Sequence, residues 1–390
     1  MLRLLRISSI YPYFLNEIEK NIFLKSDDYI VSLNKIFAQK YSVSNYITKA
    51  LIEKNYECIE IINNANFLQE KWVNDYGDSS SGEDILIQQI KYYRPDILYI
   101  GNASLADSTF IKKIKKFSFV KLILCFHCAP FTPTIIKNLR NVDAVVTCTK
   151  GYQEIISKEL NKNVLLMQHA FDSRQELNSN EEIRDIDISF IGSLFINKGL
   201  HINRVELIYE LMKKFKNNYI AINFSNKFFL YFGVLILKSI FKFDFFEKIS
   251  FFYKLLYIYY FSKKPVFGNK MLKVLTKTKI LVNTHIENTE YAGNMRLFEG
   301  TGCGCLLITD MKKDIDKLFE PEEEIELFRD KEDLIKKCTY YLKNDNKLNM
   351  IANAGLKRTL SFHSYKIRVD LLNNFIRKNI HNKIYEKNIS

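Results

Sequence analysis

Alanine, glycine and proline are scarce in this sequence. Its 390 residues include 13 glycines, 6 prolines and 1 tryptophan, while lysine, asparagine, isoleucine, tyrosine and phenylalanine abound. That is the bias an AT-rich genome produces. Cysteines number 7, an odd count with no paired framework; this points to a reducing compartment and hence to the cytoplasm. Cys125-Phe-His-Cys128 has metal-like spacing, but a structural zinc takes four ligands and usually a second pair. Cys303-Gly-Cys305 falls far along the chain. Buried thiols and no metal are therefore expected. No run reaches the roughly 18 apolar residues of a membrane span; Phe228–Phe241 comes closest and is broken by Lys238. The opening MLRLLRISSIYPYF lacks the apolar stretch of a signal peptide. No internal repeat is visible. The basic residues are spread along the chain without an RNP, helix-turn-helix or zinc-finger pattern, so nucleic acid is not an expected partner.

What is present describes a folded globular protein. Hydrophobic residues make up 47% and charged residues 26%, which excludes disorder as the main state. At roughly 150 residues per domain the length gives two to three domains, large enough to build cores without a disulfide or metal staple. Lys and Arg total 57 against 44 Asp and Glu, a formal charge of +13. An anionic membrane surface or a phosphorylated small molecule would suit that excess, and compositional drift explains part of it.

The first half alternates strand and helix signals. Arg3–Ile10, Glu57–Ile62, Asp96–Gly101, Lys121–Phe126, Asp143–Thr147 and Val164–Met167 read as strands. Val43–Lys54, Asp84–Tyr93 and Thr109–Lys116 read as helices. A polar stretch, Ser173–Asp185, reads as a linker. A second series follows: strands Asp187–Ile191 (ending at Gly192), Lys279–Asn283, Cys305–Thr309 and Glu324–Phe328. Its helices are Arg204–Lys214, Asp330–Leu342, Asn346–Lys357 and His363–Ile376. Strands separated by helices of 10–15 residues predict parallel sheets, and such sheets bind ligands beyond the carboxyl ends of their strands.

The most informative segment is Asn283–Asp310, NTHIENTEYAGNMRLFEGTGCGCLLITD. It reads strand, loop, helix, glycine turn, strand. Asn294 is a natural N-cap for a helix Met295–Thr301, and Gly302 and Gly304 provide its stop. The free amides of the helix start suit a phosphate. Arg296 adds a planar cation. Glu299, one turn on, can accept two ribose hydroxyls. The plainer reading makes Arg296–Glu299 an i,i+3 ion pair and the glycines a helix stop. A second segment, Phe190–Arg204 (FIGSLFINKGLHINR), has a strand end, a glycine that permits close backbone approach and two cations, Lys198 and Arg204. Its plainer reading is a solvated basic loop. Asp185-Ile-Asp187 and Asp314-Ile-Asp316 have D-x-D form and read as surface.

YAGNMRLFEGTGCG followed by LLITD resembles the C-terminal signature of GT-B glycosyltransferases, more narrowly of the CgeB-like branch, where a G-N-x-R-x-F-E-x-x-G-x-G run is typical. KDIDKLFEPEEEIELFRDKEDLIKKCTYYLKND and IANAGLKRTLSFHSYKIRVDLL are similar to the same family. LKSDDY, the EKWVNDYG region and IKYYRPDILYIGN share its character less specifically. The resemblance implies two Rossmann-like α/β domains facing across a cleft, with a last helix crossing back to the N-terminal domain. It places an acceptor-binding domain at 1–175 and a nucleotide-sugar domain at 183–362, with an aromatic insertion at 226–265 and a crossover helix and basic tail at 363–390. It implies that Glu299 binds the ribose, and that Arg296 with the amides near Gly293 and Asn294 holds the diphosphate. Gly192, Ser193, Lys198 and Arg204 would face the same diphosphate, and His285 and Tyr291 would line the donor site. The related families carry an E-x7-E pair; here Tyr291 stands where its first Glu would be, with Glu290 one residue off. His127, after KLILCF, matches a histidine that faces the donor sugar. The catalytic candidates are thus His127 and Glu290. His169 is expected in a cleft wall and His363 in a structural role.

The activity this implies is metal-independent transfer of a sugar from a nucleotide-diphosphate sugar to an acceptor hydroxyl, with no cofactor beyond the donor substrate. The setting would be cell-surface glycan or glycoconjugate synthesis, on a glycan, lipid-linked or protein acceptor. The alternative is a non-catalytic nucleotide- or sugar-binding protein on the same scaffold. Phe228–Phe241 and Phe245–Phe261 are apolar over more than one helical face and punctuated by lysines. Either they lie in a membrane interface at the inner face, or they form part of a core or a lid.

Overall fold

The computed structural model describes residues 1–21, 27–41, 44–173, 183–196, 201–224, 245–287 and 289–389. Lys198, the Phe228–Phe241 run, most of the Ser173–Asp185 stretch and the side chains of Phe245 and Lys248 lie outside the described residues. The chain divides into two compact units, Met1–Asp172 with Ser364–Ser390, and Ser173–His363.

The first unit runs β1 (Leu2–Ser8), α1 (Pro12–Asn21), α2 (Tyr29–Phe37), α3 (Tyr46–Ile52), β2 (Tyr56–Ile62), α4 (Asn66–Tyr76) and α5 (Ile85–Tyr93). It continues β3 (Ile97–Ile100), α6 (Ser108–Ile114), β4 (Leu122–His127), α7 (Pro133–Leu139), β5 (Ala144–Thr147), α8 (Lys150–Leu160) and β6 (Asn163–Leu166). The strands form one parallel sheet, β2-β1-β3-β4-β5-β6. Helices start where carboxylates and hydroxyls can cap them. Asp84 accepts from the amides of Leu86 and Ile87, and Asp107 from Thr109 and Phe110. The strands read as unbroken apolar runs because both faces are covered. Side chains alternate between two cores: Ile97, Tyr99, Leu122, Leu124, Ala144 and Val146 pack on one side, Leu98, Ile100, Ile123, Cys125 and Val145 on the other.

The second unit runs β7 (Ile186–Leu194), α9 (Ile202–Lys214), β8 (Asn218–Phe224), α10 (Phe245–Phe261), α11 (Gly268–Thr276), β9 (Thr278–Asn283) and α12 (Arg296–Gly302). β10 (Leu306–Asp310), β11 (Glu326–Phe328), α13 (Lys331–Leu342) and α14 (Asp345–Phe362) complete it. Its parallel sheet is ordered β11-β10-β9-β7-β8. Strand β8 was not foreseen; Ile220, Ala221 and Ile222 are buried along it. β7 does not stop at Gly192. It continues because Gly192, Ser193 and Leu194 pair with Ile222, Asn223 and Phe224 of β8.

The chain ends in α15 (Tyr365–Ile389), which packs within the first unit. Tyr365, Val369, Leu372, Ile376 and Ile380 recur every three or four residues and join the core that holds Leu124 and Val146. The expected basic tail is the second half of this helix. α10 buries Leu255 and Ile258 in the core of the second unit, while Ile249, Tyr253, Tyr260 and Phe261 stay exposed. No described helix is long and apolar enough to cross a membrane.

Candidate functional site

In the second sheet β7 has β8 on one side and β9 on the other, so the winding reverses between β7 and β9. Open parallel sheets take their ligands at such a point, outside the carboxyl ends. Several candidate residues gather at this edge. Arg296, first residue of α12, reaches back to β7: its Nε donates to the carbonyl of Ile191 at 3.0 Å. Its Nη1 donates to the Glu299 carboxylate. The two side chains are 22% and 8% exposed, which marks a half-buried pair fastened to the sheet rather than a surface bridge. Among the described residues, the bonds of this pair run through Arg296 Nε and Nη1 and Glu299 Oε2, leaving Arg296 Nη2 and Glu299 Oε1 to other partners.

Asn294 does not cap α12. The N-cap is Met295, with no side-chain bond. Instead Asn294 Nδ2 donates to Asn283 Oδ1 at 2.8 Å and to the Thr284 carbonyl at 3.1 Å. The asparagine is thereby bound to the end of β9, and its Oδ1 is buried without a partner. Such an orphaned acceptor costs about 1–3 kcal/mol unless something donates to it. Of the two glycines expected to stop the helix, Gly302 is its last residue, and Gly304, just past the Cys303 cap, takes φ of 72°.

His285 is a brace. Its Nδ1 lies 2.7 Å from Asp310 Oδ1, and its Nε2 accepts from the Gly293 amide at 3.4 Å. The backbone amide of His285 also donates to Asp310, at 2.9 Å. Burial pushes the Asp310 carboxyl up, but the His285 bonds and nearby Lys312 outweigh it and hold the pKa below the usual value. Asp314, read as surface, is buried; its Oδ1 accepts from the Ala292 amide at 2.7 Å. The loop carrying Gly293 is thus pinned on both sides before any ligand arrives. Glu290 and Tyr291 lie on its outer part. Glu290 is 65% exposed and pairs with Lys313 at 2.7 Å, and the Lys313 ammonium sits 6.0 Å from the Tyr291 ring centre.

Arg204 is buried and tied into the protein. Its Nε donates to Thr284 Oγ1 at 2.6 Å, Nη1 to the Ser193 carbonyl at 3.0 Å and Nη2 to the Thr284 carbonyl at 2.7 Å. Burial lowers its pKa to about 10. Its bonds join the ends of β7 and β9. A Cβ on Gly192 would press on the Phe190 ring and come within 3.8 Å of this guanidinium. At the start of α9, Glu287 accepts from the amides of His201 at 2.8 Å and Asn203 at 3.1 Å. Thr284, Glu287 and Asp310 escaped the sequence reading. The one signal for Asp310 was a carboxylate ending the LLITD strand.

The first unit holds a cavity of about 380 Å³. It opens where β1 meets β3, the winding reversal of that sheet, and Ser8, Gly101, Asn102, His127, His169 and Tyr365 line it. His127 is the last residue of β4. Its carbonyl accepts from Thr147 Oγ1 at 2.8 Å, and its Nε2 is buried without a partner. Burial lowers its pKa, partly opposed by a backbone bond with Ala129. His169 is pushed down to about 4 by burial and by Arg368. Next to His127, Cys128 is joined to Cys148 as a disulfide, Cα atoms 5.6 Å apart. That corrects the expectation of unpaired thiols. His127 and Thr147 face each other in register across β4 and β5, so the residues after them are neighbours although 20 positions apart in sequence. His363 is structural, as expected: its Nε2 lies 2.8 Å from the Leu318 carbonyl and its ring packs on Phe298 and Phe319.

Residues 256–374 match a family described as Glycosyl transferase-like. No curated protein matches the chain. Among solved structures, the chain is similar to a glycosyltransferase from Rickettsia africae, with TM-score 0.58 and 12% identity over 97% of this chain and 98% of that one. HepE from Anabaena, in complex with UDP and glucose, gives TM-score 0.57 and 9% identity over 97% and 100%. Sucrose-phosphate synthase from Thermosynechococcus elongatus gives 0.57 and 10% over 97% and 99%. At such identities the likeness speaks for the fold, and the fold is GT-B. The family match covers the second half of the second unit and the start of α15, and the fold around it is GT-B.

Proposed function

We propose that the protein moves a sugar from a nucleotide-diphosphate sugar to an acceptor hydroxyl, with the donor on the second unit and the acceptor on the first. The observation that carries this is the Arg296–Glu299 pair, held on the Ile191 carbonyl at the winding reversal of the second sheet. In this reading Glu299 Oε1 accepts a ribose hydroxyl and Arg296 Nη2 donates to the diphosphate. The pinned Gly293–Asn294 loop supplies backbone to the same group. Prearranged donors of this kind stabilise the departing diphosphate without reorganising during the reaction. Ser193, His285 and Arg204 hold the edge in shape. His127, neutral and with its Nε2 unpartnered, is the group proposed to face the transferred sugar, and Glu290 the loop carboxylate nearest the family's position.

The finer reading is a CgeB-like enzyme working in the cytoplasm on cell-surface glycans, touching the membrane through the exposed Tyr253, Tyr260 and Phe261 of α10. HepE holds UDP, so UDP-sugars come first among donors. The test is a thermal-shift screen of UDP-, GDP-, dTDP- and CMP-sugars, followed by turnover of the ligand that stabilises most. Stabilisation by one nucleotide class with release of its nucleotide supports transfer. Stabilisation without release by wild-type protein over a panel of acceptors favours a binding protein.

A further inference from the structure

We propose that Cys128, Cys148 and His169 form a zinc site in the first unit, with its fourth position open to the cavity. Cys128 and Cys148 are fixed as neighbours by the parallel register of β4 and β5. His169 arrives from the segment after β6, and its Nε2 lies 3.6 Å from Cys128 Sγ. The three ligand atoms all lie within 4.8 Å of one another. A tetrahedral zinc with bonds of about 2.3 Å to sulfur and about 2.0 Å to nitrogen has a sulfur–nitrogen edge of roughly 3.5 Å, so the Cys128–His169 separation already matches one edge. Two thiolates and one imidazole are soft and borderline donors that select zinc over magnesium or calcium. A site with three protein ligands leaves one position for water or for a group of an entering molecule. Cys128 and His169 both line the cavity, and so does His127, whose buried Nε2 has no partner. The unpartnered nitrogen is independent evidence that this wall faces a polar occupant, because a buried polar atom is costly until something bonds to it. Cys125, which sequence spacing put forward, is not a ligand: it packs in the opposite core of the sheet.

Zinc and the disulfide exclude each other. Opening the Cys128–Cys148 bond takes two electrons and two protons from a dithiol reductant, which leaves as its own disulfide. Zinc then enters as two thiolates form, releasing two protons. The site therefore exists in the reduced protein and is absent from the oxidised one.

The experiment uses the full chain, reduced with dithiothreitol and exchanged without oxygen, then titrated with zinc against a chromophoric chelator. Cobalt is added in parallel to read thiolate-to-metal absorption. The expected result is one zinc per chain with about two protons released, cobalt–thiolate bands, and no competing binding by the oxidised protein. Cys148→Ser and Cys128→Ser should abolish the cobalt–thiolate bands of a dithiolate site, and His169→Ala should weaken zinc by about tenfold or more. Cys125→Ser should leave both readouts unchanged, and circular dichroism checks that each variant is folded. Zinc bound equally by oxidised protein or by folded Cys148→Ser would overturn the proposal. So would reduced wild type that fails to take zinc from the chelator.

Discussion

His201 and His169 are both held neutral by burial, each with its pKa pushed down to about 4 from an ordinary 6.5. His201 sits at the start of α9, where its Nδ1 accepts from the Phe195 amide at 3.3 Å and Arg204 adds to the cost of a charge. A folded-state pKa below the unfolded one means that the unfolded chain binds protons first. The stability from these rings is complete above about pH 6.5 and drains away as the pH falls toward 4. Urea midpoints should therefore drop between about pH 7 and about pH 5, before most carboxylates titrate. His201 has φ of 67°, a conformation asparagine tolerates, so His201→Asn should fold and show a smaller drop. An unchanged wild-type midpoint over that interval would contradict this. At this scale the sequence was legible where neighbours in space are neighbours in sequence, as with Arg296 and Glu299. It was silent where the partner is distant. Nothing near His285 announces Asp310, 25 residues on, and nothing near Cys128 announces Cys148.

Elements were easiest to read where a strand is buried on both faces. DILYIG contains β3, and KLILCF holds all of β4 but its last residue, His127, because both faces of these strands need apolar side chains. β8 was harder, since NYIAINF mixes polar ends with a short buried centre. The end of β7 was misjudged because a glycine reads as a stop, while pairing with β8 carries the strand past it. Helix α15 was legible from its spacing, though not its full length. Its buried face predicts that Leu372→Ala lowers the stability of the first unit by about 2–5 kcal/mol, measured by chemical unfolding with a probe in that unit. A loss below about 0.5 kcal/mol would mean that the helix is a dispensable strap. In the second unit, α14 lies so close to the segment before β11 that a Cβ on Gly355 would run into the Glu324 carbonyl. Gly355→Ala should destabilise by about 1–3 kcal/mol, and an unchanged melting temperature would contradict that close approach.

For the whole molecule, the net charge of +13 and the aromatic residues of α10 raise the question of a membrane surface. Phe252, Leu255 and Ile258 are buried, as a core helix requires, while Tyr253, Tyr260 and Phe261 are exposed beside Lys263 and Lys264. The proposed contact predicts flotation with anionic vesicles that is lost at high salt and reduced by Tyr260→Ser with Phe261→Ser. Protein that stays at the bottom of the gradient at low salt would remove the membrane from the account. The donor site is tested most directly by calorimetric titration with UDP, then GDP and dTDP. One nucleotide should bind wild-type protein. Arg296→Ala and Glu299→Ala should each weaken it by about 1.5–3 kcal/mol, the scale of a hydrogen bond to a charged group. Equal affinity in wild type and both variants would contradict the proposed donor site.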